Sequence, residues 1–382
     1  MKAHPALTDE HEALRETMRR FVAREIAPHA AAWDEAEEFP RELYRKAAAA
    51  GLLGIGFPEE YGGTPADLFT HVILAEEIAL AGVGGVHAGL FSHQIGAPPV
   101  ARAGSAELKA RVLPPVLAGE KISALAITEP GGGSDVANLA TRAQRDGGDY
   151  VVNGEKTFIT SGMRADFYTV AVRTGGPGAP GVSLLLIERE RAGFSRTPLK
   201  KMGWWCSDTA SLHFDDVRVP AGNLIGEENA GFRVIMHNFN AERLGMAAAA
   251  VGFAQACLDE AVEWARERKT FGRRLVDHQA VRHKLIEMAT RVHAARALTY
   301  DTCWKLEHAP RDPQFIAQLA ITKNLTARAM QFCADEAVQT LGGAGFMRGT
   351  RSERIYREVK VMMIGGGSEE VLKDLAARQL GV

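Results

Sequence analysis

Four short segments carry residue types that can do chemistry. Ala126-Ile-Thr-Glu-Pro-Gly-Gly-Gly-Ser-Asp135 sets glycines beside the hydroxyls of Thr128 and Ser134. A backbone without β-carbons can come close to a ligand, and loop amides with hydroxyls can bind a polar ring edge or a phosphate. Gln339-Thr-Leu-Gly-Gly-Ala-Gly-Phe346 is a second glycine-rich approach. Ile364-Gly-Gly-Gly-Ser-Glu-Glu370 is a third, with Ser368 placed to cap a helix whose first amides are free for an anion. Arg266-Glu-Arg-Lys-Thr-Phe-Gly272, followed by His278-Gln279, is a cationic helix end that suits a phosphate or the helix dipole. Taken singly, each has a plainer reading: a flexible connection, a helix C-cap, an ordinary loop or a solvated helix end.

The elements that must position these segments divide into three textures. Residues 1–120 read as helices: His11 to Ile26 behind a Thr8-Asp9-Glu10 cap, then Leu43–Gly51, Leu68–Ala81 and Ser105–Ala118, with a loop at Pro58–Pro65. Residues 121–228 read as short strands. Tyr150-Val-Val, Asn153-Gly154 and Glu155 to Thr160 predict a hairpin with a type I′ turn. Phe167–Arg173, Val182–Ile187 and Ser211–Val219 are further strands, and Trp204-Trp205 fall in a connection between them. Residues 229–382 return to long amphipathic patterns at Ala247–Arg268, His278–His308, Asp312–Leu341 and Glu369–Leu380. The expected fold class is α+β: an N-terminal helical domain, a middle β-barrel or sandwich domain, and a C-terminal four-helix bundle.

Composition narrows the function. A chain of 382 residues with 45 basic and 47 acidic side chains, net charge -2, has no basic excess for nucleic acid or an anionic membrane. Its four cysteines lie far apart without ligand spacing, so neither a metal site nor a disulfide framework is expected, and a reducing compartment fits. No apolar run approaches the ~18 residues of a membrane span. With no signal core at the N-terminus a cytoplasmic protein is expected, and a processed mitochondrial form also fits.

In order and spacing, the four segments together resemble those of the acyl-CoA dehydrogenase family, over essentially the whole chain. Ala126–Asp135 is similar to the family's first signature. Gln339–Phe346 with Glu353-Arg-Ile-Tyr-Arg357 is similar to the second, and Arg268–Gly272 with His278-Gln279 to a further element. The resemblance implies FAD, held by Leu125, Ile127, Thr128, Gly133, Ser134, Phe158, Ile159 and Thr160. From neighbouring chains it implies Arg268, Thr270, Phe271, Gln279, Gln339, Gly342 and Gly343, and at the last segment Ser368 and Glu370. Such sharing implies a homo-oligomer, usually a tetramer. It also implies an acyl-CoA substrate and an electron-transfer flavoprotein as acceptor.

One departure from the family pattern bears on the reaction. Many members carry the proton-abstracting Glu at the position of Gly366, which here has no side chain. A subgroup that includes isovaleryl-CoA and long-chain dehydrogenases carries it in a Glu-Arg-Leu sequence, present here as Glu242-Arg243-Leu244. The resemblance therefore implies Glu242 as the base, with Ser134, Asn240, Arg243 and Gly366 on the substrate side; a glycine at 366 would leave room for a branched or bulky acyl group. The plainer reading of Glu242 is a helix-start carboxylate favoured by the dipole. Gly349 also departs, standing where the second signature has an acid or amide. Two other functions share the fold: a flavin-dependent oxidase or monooxygenase, and a flavin-binding protein without catalysis.

Overall fold

The computed structural model describes residues 4–382. The helices of the first third are α1 (Asp9–Phe21), α2 (Ala30–Glu35), α3 (Glu42–Ala49), α4 (Leu68–Ala79), α5 (Gly84–Leu90), α6 (His93–Gly96), α7 (Pro98–Ala103) and α8 (Ala106–Leu117). Polar caps start α1, α4 and α8. Thr8 Oγ1 accepts from the His11 amide at 3.3 Å, while His11 Nδ1 accepts from the Thr8 amide at 3.0 Å. Asp67 and Ser105 cap α4 and α8 in the same way. Each satisfies an amide that has no partner in the first turn.

The middle third is one seven-stranded sheet: β1 (Ser123–Ala126), β2 (Arg142–Asp146), β3 (Asp149–Thr160), β4 (Phe167–Arg173), β5 (Val182–Glu188), β6 (Phe194–Pro198) and β7 (Thr209–Pro220). Its order is β1-β4-β2-β3-β7-β6, with β5 antiparallel to β4 from Phe167↔Glu188 to Arg173↔Val182. The hairpin expected at Asn153-Gly154 is absent. That dipeptide lies inside the single long strand β3, at a bulge against β7 where Gly154 has φ +143°. The turn falls at Gly147-Gly148, between Asp146 and its partner Asp149. The Asn153 amide donates to Asp216 Oδ1 at 2.9 Å and its oxygen accepts from the Asp216 amide, so the side chain ties two strands together instead of making a turn.

The last third holds α9 (Gly231–Glu267), a small ribbon of β8 (Lys269–Thr270) and β9 (Arg273–Arg274), then α10 (Gln279–His308), α11 (Pro313–Leu341), α12 (Gly343–Phe346), α13 (Arg351–Ile364) and α14 (Glu369–Leu380). Two differences from the sequence reading matter. α9 is 37 residues long and starts at Gly231, not Ala247, so Glu242 lies well inside a helix and not at its start. The Arg351–Ile364 stretch, read only as a motif, is a full helix capped by Thr350.

The apolar core crosses the textures. Phe69, Val72 and Ile73 of α4 share one cluster with Phe253 and Cys257 of α9, Met288 and Cys303 of α10 and Met330 of α11. A second cluster joins the first helices to the sheet through Leu43, Leu90, Tyr150 and Ile187. Buried charge ties α1, α4 and α10 together: Glu77 takes Arg15 and, at 2.9 Å, Arg19, while Glu76 takes Arg296 Nε at 2.6 Å and the Tyr300 hydroxyl at 2.5 Å. Each of these carboxylates is fully paired, as burial demands. All four cysteines are buried and free.

Candidate active site

Glu242, Asn240 and Arg243 are carried by α9, and the 365–367 turn between α13 and α14 packs against them. Gly366 and Gly367 have φ +66° and +108°, a left-handed backbone that glycine adopts without a β-carbon penalty. A β-carbon on Gly366 would lie 2.8 Å from Met246 Sδ and 3.9 Å from Glu242 Oε1. The Glu242 carboxylate therefore borders the space into which a side chain at 366 would point. The thioether of Met246, one helical turn past Glu242, takes part of the room that the sequence reading left empty there.

Arg243 does not neutralise its neighbour directly. Its Nε donates to the Gly366 carbonyl at 2.9 Å and its Nη1 to Asn240 Oδ1 at 3.2 Å, with the guanidinium 5.6 Å from the Phe239 ring. Glu242 Oε2 is shielded from solvent and has no hydrogen-bond partner. Desolvation raises the Glu242 carboxyl to about 7, against the pull of Arg243 and Lys323. A buried carboxylate with a free oxygen and a raised pKa is equipped to accept a proton near neutral pH.

A second face is built where the end of β3 meets the 126–135 loop. β3 has a register shift against β7 between Lys156 and Ile159. The bulge re-aims Phe158, which has φ +60° and is 68% exposed. Such a backbone is strained for a bulky residue and persists only where the surroundings hold it. Lys156, two residues earlier and fully buried, does that holding. Its Nζ donates to Ile127 O at 3.0 Å and to Glu129 Oε1 at 2.7 Å. Glu129 in turn accepts from the amides of Ala140 and Thr141, and Thr157 N donates to Thr128 O at 2.9 Å. The 126–135 loop is thus fastened to β3 and to the entry of β2.

Thr128, Gly133, Ser134, Phe158 and Thr160 fall on these two adjoining segments, partly or fully exposed. The β-carbon positions of Gly131 and Gly132 meet no atom within 4 Å. An outward aromatic ring beside an open glycine loop and hydroxyls fits a flat polar ring such as a flavin. Ile127 and Ile159 turn their side chains into the core, 7% and 3% exposed, which leaves their backbone groups to face a ligand.

The residues at the ends of α9 and α11 are not brought to Glu242. Arg268 follows the last residue of α9, some 26 residues past Glu242, which is about 39 Å along a helix. Thr270, Phe271 and Gln279 adjoin Arg268, and Phe271 is 97% exposed. Gln339, Gly342 and Gly343 sit at the far end of α11 and are exposed, beside Phe346 at 86%. Ser368 caps α14, accepting from Val371 N at 3.4 Å, and Glu370 is exposed in its first turn.

Two tryptophans and one glycine have structural roles. Trp205 is stacked between Arg357 at 3.7 Å and Arg348 at 4.4 Å. Trp204, with φ +54°, packs its indole where a β-carbon of Gly84 would stand. Gly349 has φ +114°, which explains why neither an acid nor an amide stands there. Sequence reasoning missed Lys156, Lys323 and Met246; a lone lysine within a strand or helix pattern carries no signal of burial.

The comparisons agree along the chain. Models of the acyl-CoA dehydrogenase N-terminal, middle and C-terminal domains match residues 8–120, 124–217 and 229–381. The mitochondrial long-chain specific acyl-CoA dehydrogenase of Sus scrofa is 38% identical, over 98% of this chain and 87% of its own length. The acyl-CoA dehydrogenase structure from Geobacillus kaustophilus is 36% identical with a TM-score of 0.92, covering 99% of this chain and 100% of that one. A Mycobacterium smegmatis glutaryl-CoA dehydrogenase solved with FADH2 is 26% identical with a TM-score of 0.91, covering 98% and 95%. The chain belongs to the acyl-CoA dehydrogenase family, FAD-dependent oxidoreductases that act on the CH–CH bond of an acyl-CoA.

Proposed function

We propose that Glu242 is the base of this acyl-CoA dehydrogenase, removing the α-proton as the acyl chain is converted to the trans-2-enoyl thioester. The observation that carries this reading is the placement of Glu242: a shielded, unpartnered carboxylate oxygen bordering Gly366, which itself offers no acid. Bound FAD supplies the two-electron acceptor for the β-hydride. Thr128, Ser134, Phe158 and Thr160 are the residues of this chain that would hold its ring system, with backbone groups of Leu125, Ile127, Gly133 and Ile159. An α-C–H is a poor acid in water, so a desolvated carboxylate near pKa 7 has the driving force to take the proton at neutral pH and to shed it again after turnover.

Arg243 fixes the position of the turn, and Asn240 orients Arg243. Met246 narrows the space beside Gly366, and its unbranched, rotatable thioether can yield to the acyl chain. A pocket with a deformable wall suits a branched or bulky acyl group. The exposed ends of α9 and α11 lie too far from Glu242 to serve the same site, so Arg268, Thr270, Phe271, Gln279, Gln339, Gly342 and Gly343 would complete the cofactor site of a second copy. This implies an oligomer, a tetramer in our reading, with an electron-transfer flavoprotein as the acceptor. Among the described residues no helix is long and apolar enough to cross a membrane.

The test is anaerobic titration of the purified flavoprotein with butanoyl-, 3-methylbutanoyl- and hexadecanoyl-CoA, followed by the flavin absorbance. Bleaching by at least one acyl-CoA in the natural protein, and none in Glu242→Gln with FAD retained, is the expected result. Bleaching of Glu242→Gln at the natural rate would remove Glu242 from the mechanism. Rapid peroxide release in air would favour an oxidase.

A further inference from the structure

Three successive contacts hold the turn that faces Glu242, and all are made to main-chain carbonyls. Arg243 of α9 takes Gly366 O at 2.9 Å, Lys323 of α11 takes Gly367 O at 2.9 Å, and Asn324 of α11 takes Glu369 O at 3.0 Å. A turn of glycines has no side chains to pack, so its carbonyls are its main handles, and its loose unfolded ensemble makes fixing it costly. Lys323 is 1% exposed, which is unusual for lysine, since a buried ammonium needs a charge or hydrogen bonds to compensate it. Its ammonium donates to a neutral carbonyl, whereas the more exposed Lys305 and Lys373 pair with carboxylates. The Lys323 ammonium thus sits one residue along the turn from Gly366, whose β-carbon position is 3.9 Å from Glu242 Oε1, and the charges that act on it are Glu242 and Arg243 from α9 and Glu369 from the start of α14. Those that face Glu242 are its neighbour Arg243 and Lys323. Glu369 is engaged by Arg328 and Lys373.

From this arrangement we infer that Lys323 is a positioning residue for proton abstraction: it fixes the 366–368 turn through Gly367 O and supplies a buried cation that favours the ionised form of Glu242. The inference rests on the reading of Glu242 as the base, and it assigns the tuning of that base to a residue on another helix. Burial brings Lys323 itself down to about 8, so its cation is in place at and below neutral pH.

The experiment is a double-mutant cycle on the FAD-loaded protein, with thermal melts from pH 5 to 7.5, where Lys323 stays charged. Glu242 has a folded pKa raised above its unfolded value, so its contribution to stability is complete below about 4.5 and is lost as pH rises through about 7. Lys323→Met removes a cation that favours the ionised form. The natural protein should level off near pH 7 while Lys323→Met goes on losing melting temperature up to pH 7.5, the upper end of the Glu242 step being displaced upward by about one pH unit. In the Glu242→Gln background that pH dependence should vanish. Lys323→Arg keeps the charge and should leave the step in place. Hydrogen exchange should rise in the 364–372 segment of Lys323→Met and stay unchanged at β3.

A uniform loss of stability across the pH range, or a pH dependence that survives Glu242→Gln, would overturn the inference, leaving Lys323 as packing alone. If Lys323→Met fails to load FAD, Lys323→Gln and Lys323→Arg decide the matter by the same comparison: a step displaced in both is an overturning result, and one displaced only in Gln supports the role of the charge. Failure of the base assignment reads differently. Glu242→Gln would then still be reduced by an acyl-CoA, whatever the melts show.

Discussion

Glu242 and Glu358 are two carboxyls whose burial does the same thing to their acidity. Desolvation raises Glu242 to about 7 and Glu358 to about 8, the latter helped by Asp34. Each has one buried oxygen without a partner. Their surroundings differ. Glu242 borders a glycine turn and the deformable Met246. Glu358, fully buried on α13, is closed in by Gly84, whose amide donates to its Oε2 at 2.9 Å, and by Trp204 and Gly203. A raised carboxyl pKa therefore marks burial, and only access to a ligand turns it into a candidate base. Glu358 belongs to a junction of all three parts of the chain. Arg357 takes Asp34 of α2 at 2.8 Å and stacks on Trp205, and Gly84 opens α5.

Mutation of the two carboxyls breaks or keeps this comparison most sharply. Glu242→Gln should cut acyl-CoA-driven flavin reduction by about 10³-fold or more, and Glu358→Gln should leave it within a few-fold. Stopped-flow absorbance on both variants checks this, and equal losses would erase the distinction. Next in size is Gly366→Ala, which combines a strained φ of +66° with a β-carbon 2.8 Å from Met246 Sδ and should cost about 2–3 kcal/mol in denaturant unfolding. Adding Met246→Ala should recover the contact part and not the backbone part.

The pH dependence separates the two carboxyls by position. Both folded pKa values are raised, so each group's stabilising protonation is complete below about 4.5 and is lost as pH climbs through about 7 for Glu242 and about 8 for Glu358. The Gln variants should match the natural protein near pH 4.5 and exceed it by a few kcal/mol at pH 9, more for Glu358 than for Glu242. The two losses should begin together near pH 4.5, and the levelling-off should come about one pH unit later for Glu358, as read by calorimetry. The smallest effect is expected at Trp205→Leu, which removes two arginine–ring contacts and should cost about 1 kcal/mol without touching flavin reduction.

Much of the molecule was legible in the sequence where local signals agree with the tertiary outcome. Strand β4 and helix α14 end where the pattern ends, because capping serine, apolar alternation and turn residues all point the same way. The reading failed where a tertiary partner decides. Asn153-Gly154 has the composition of a turn, yet β7 pairs along both sides of it and makes it a bulge. β2 and β6 are polar, exposed strands held by their neighbours, and their sequences carry no alternation to detect. Of the site, Glu242, Arg243 and Gly366 were reachable only through the family resemblance, since a half-buried Glu inside an Ala-rich helix looks like a solvated one. Lys323 and Met246 were not reachable, because their roles depend on a turn more than forty residues past Lys323 and more than a hundred past Met246.

The core shared by α4, α9, α10 and α11 also dictates how the polypeptide acquires its shape during synthesis. Phe69, Val72 and Ile73 emerge from the ribosome early, but the surfaces that cover them, including Phe253 and Met330, follow more than 180 residues later. At some 5–20 residues per second, that leaves about 10–40 seconds in which an apolar helix face waits for its partner. The first hundred residues should therefore need shielding until the last helices arrive, and a nascent chain halted after the sheet should be trapped by a holdase where the finished chain is not.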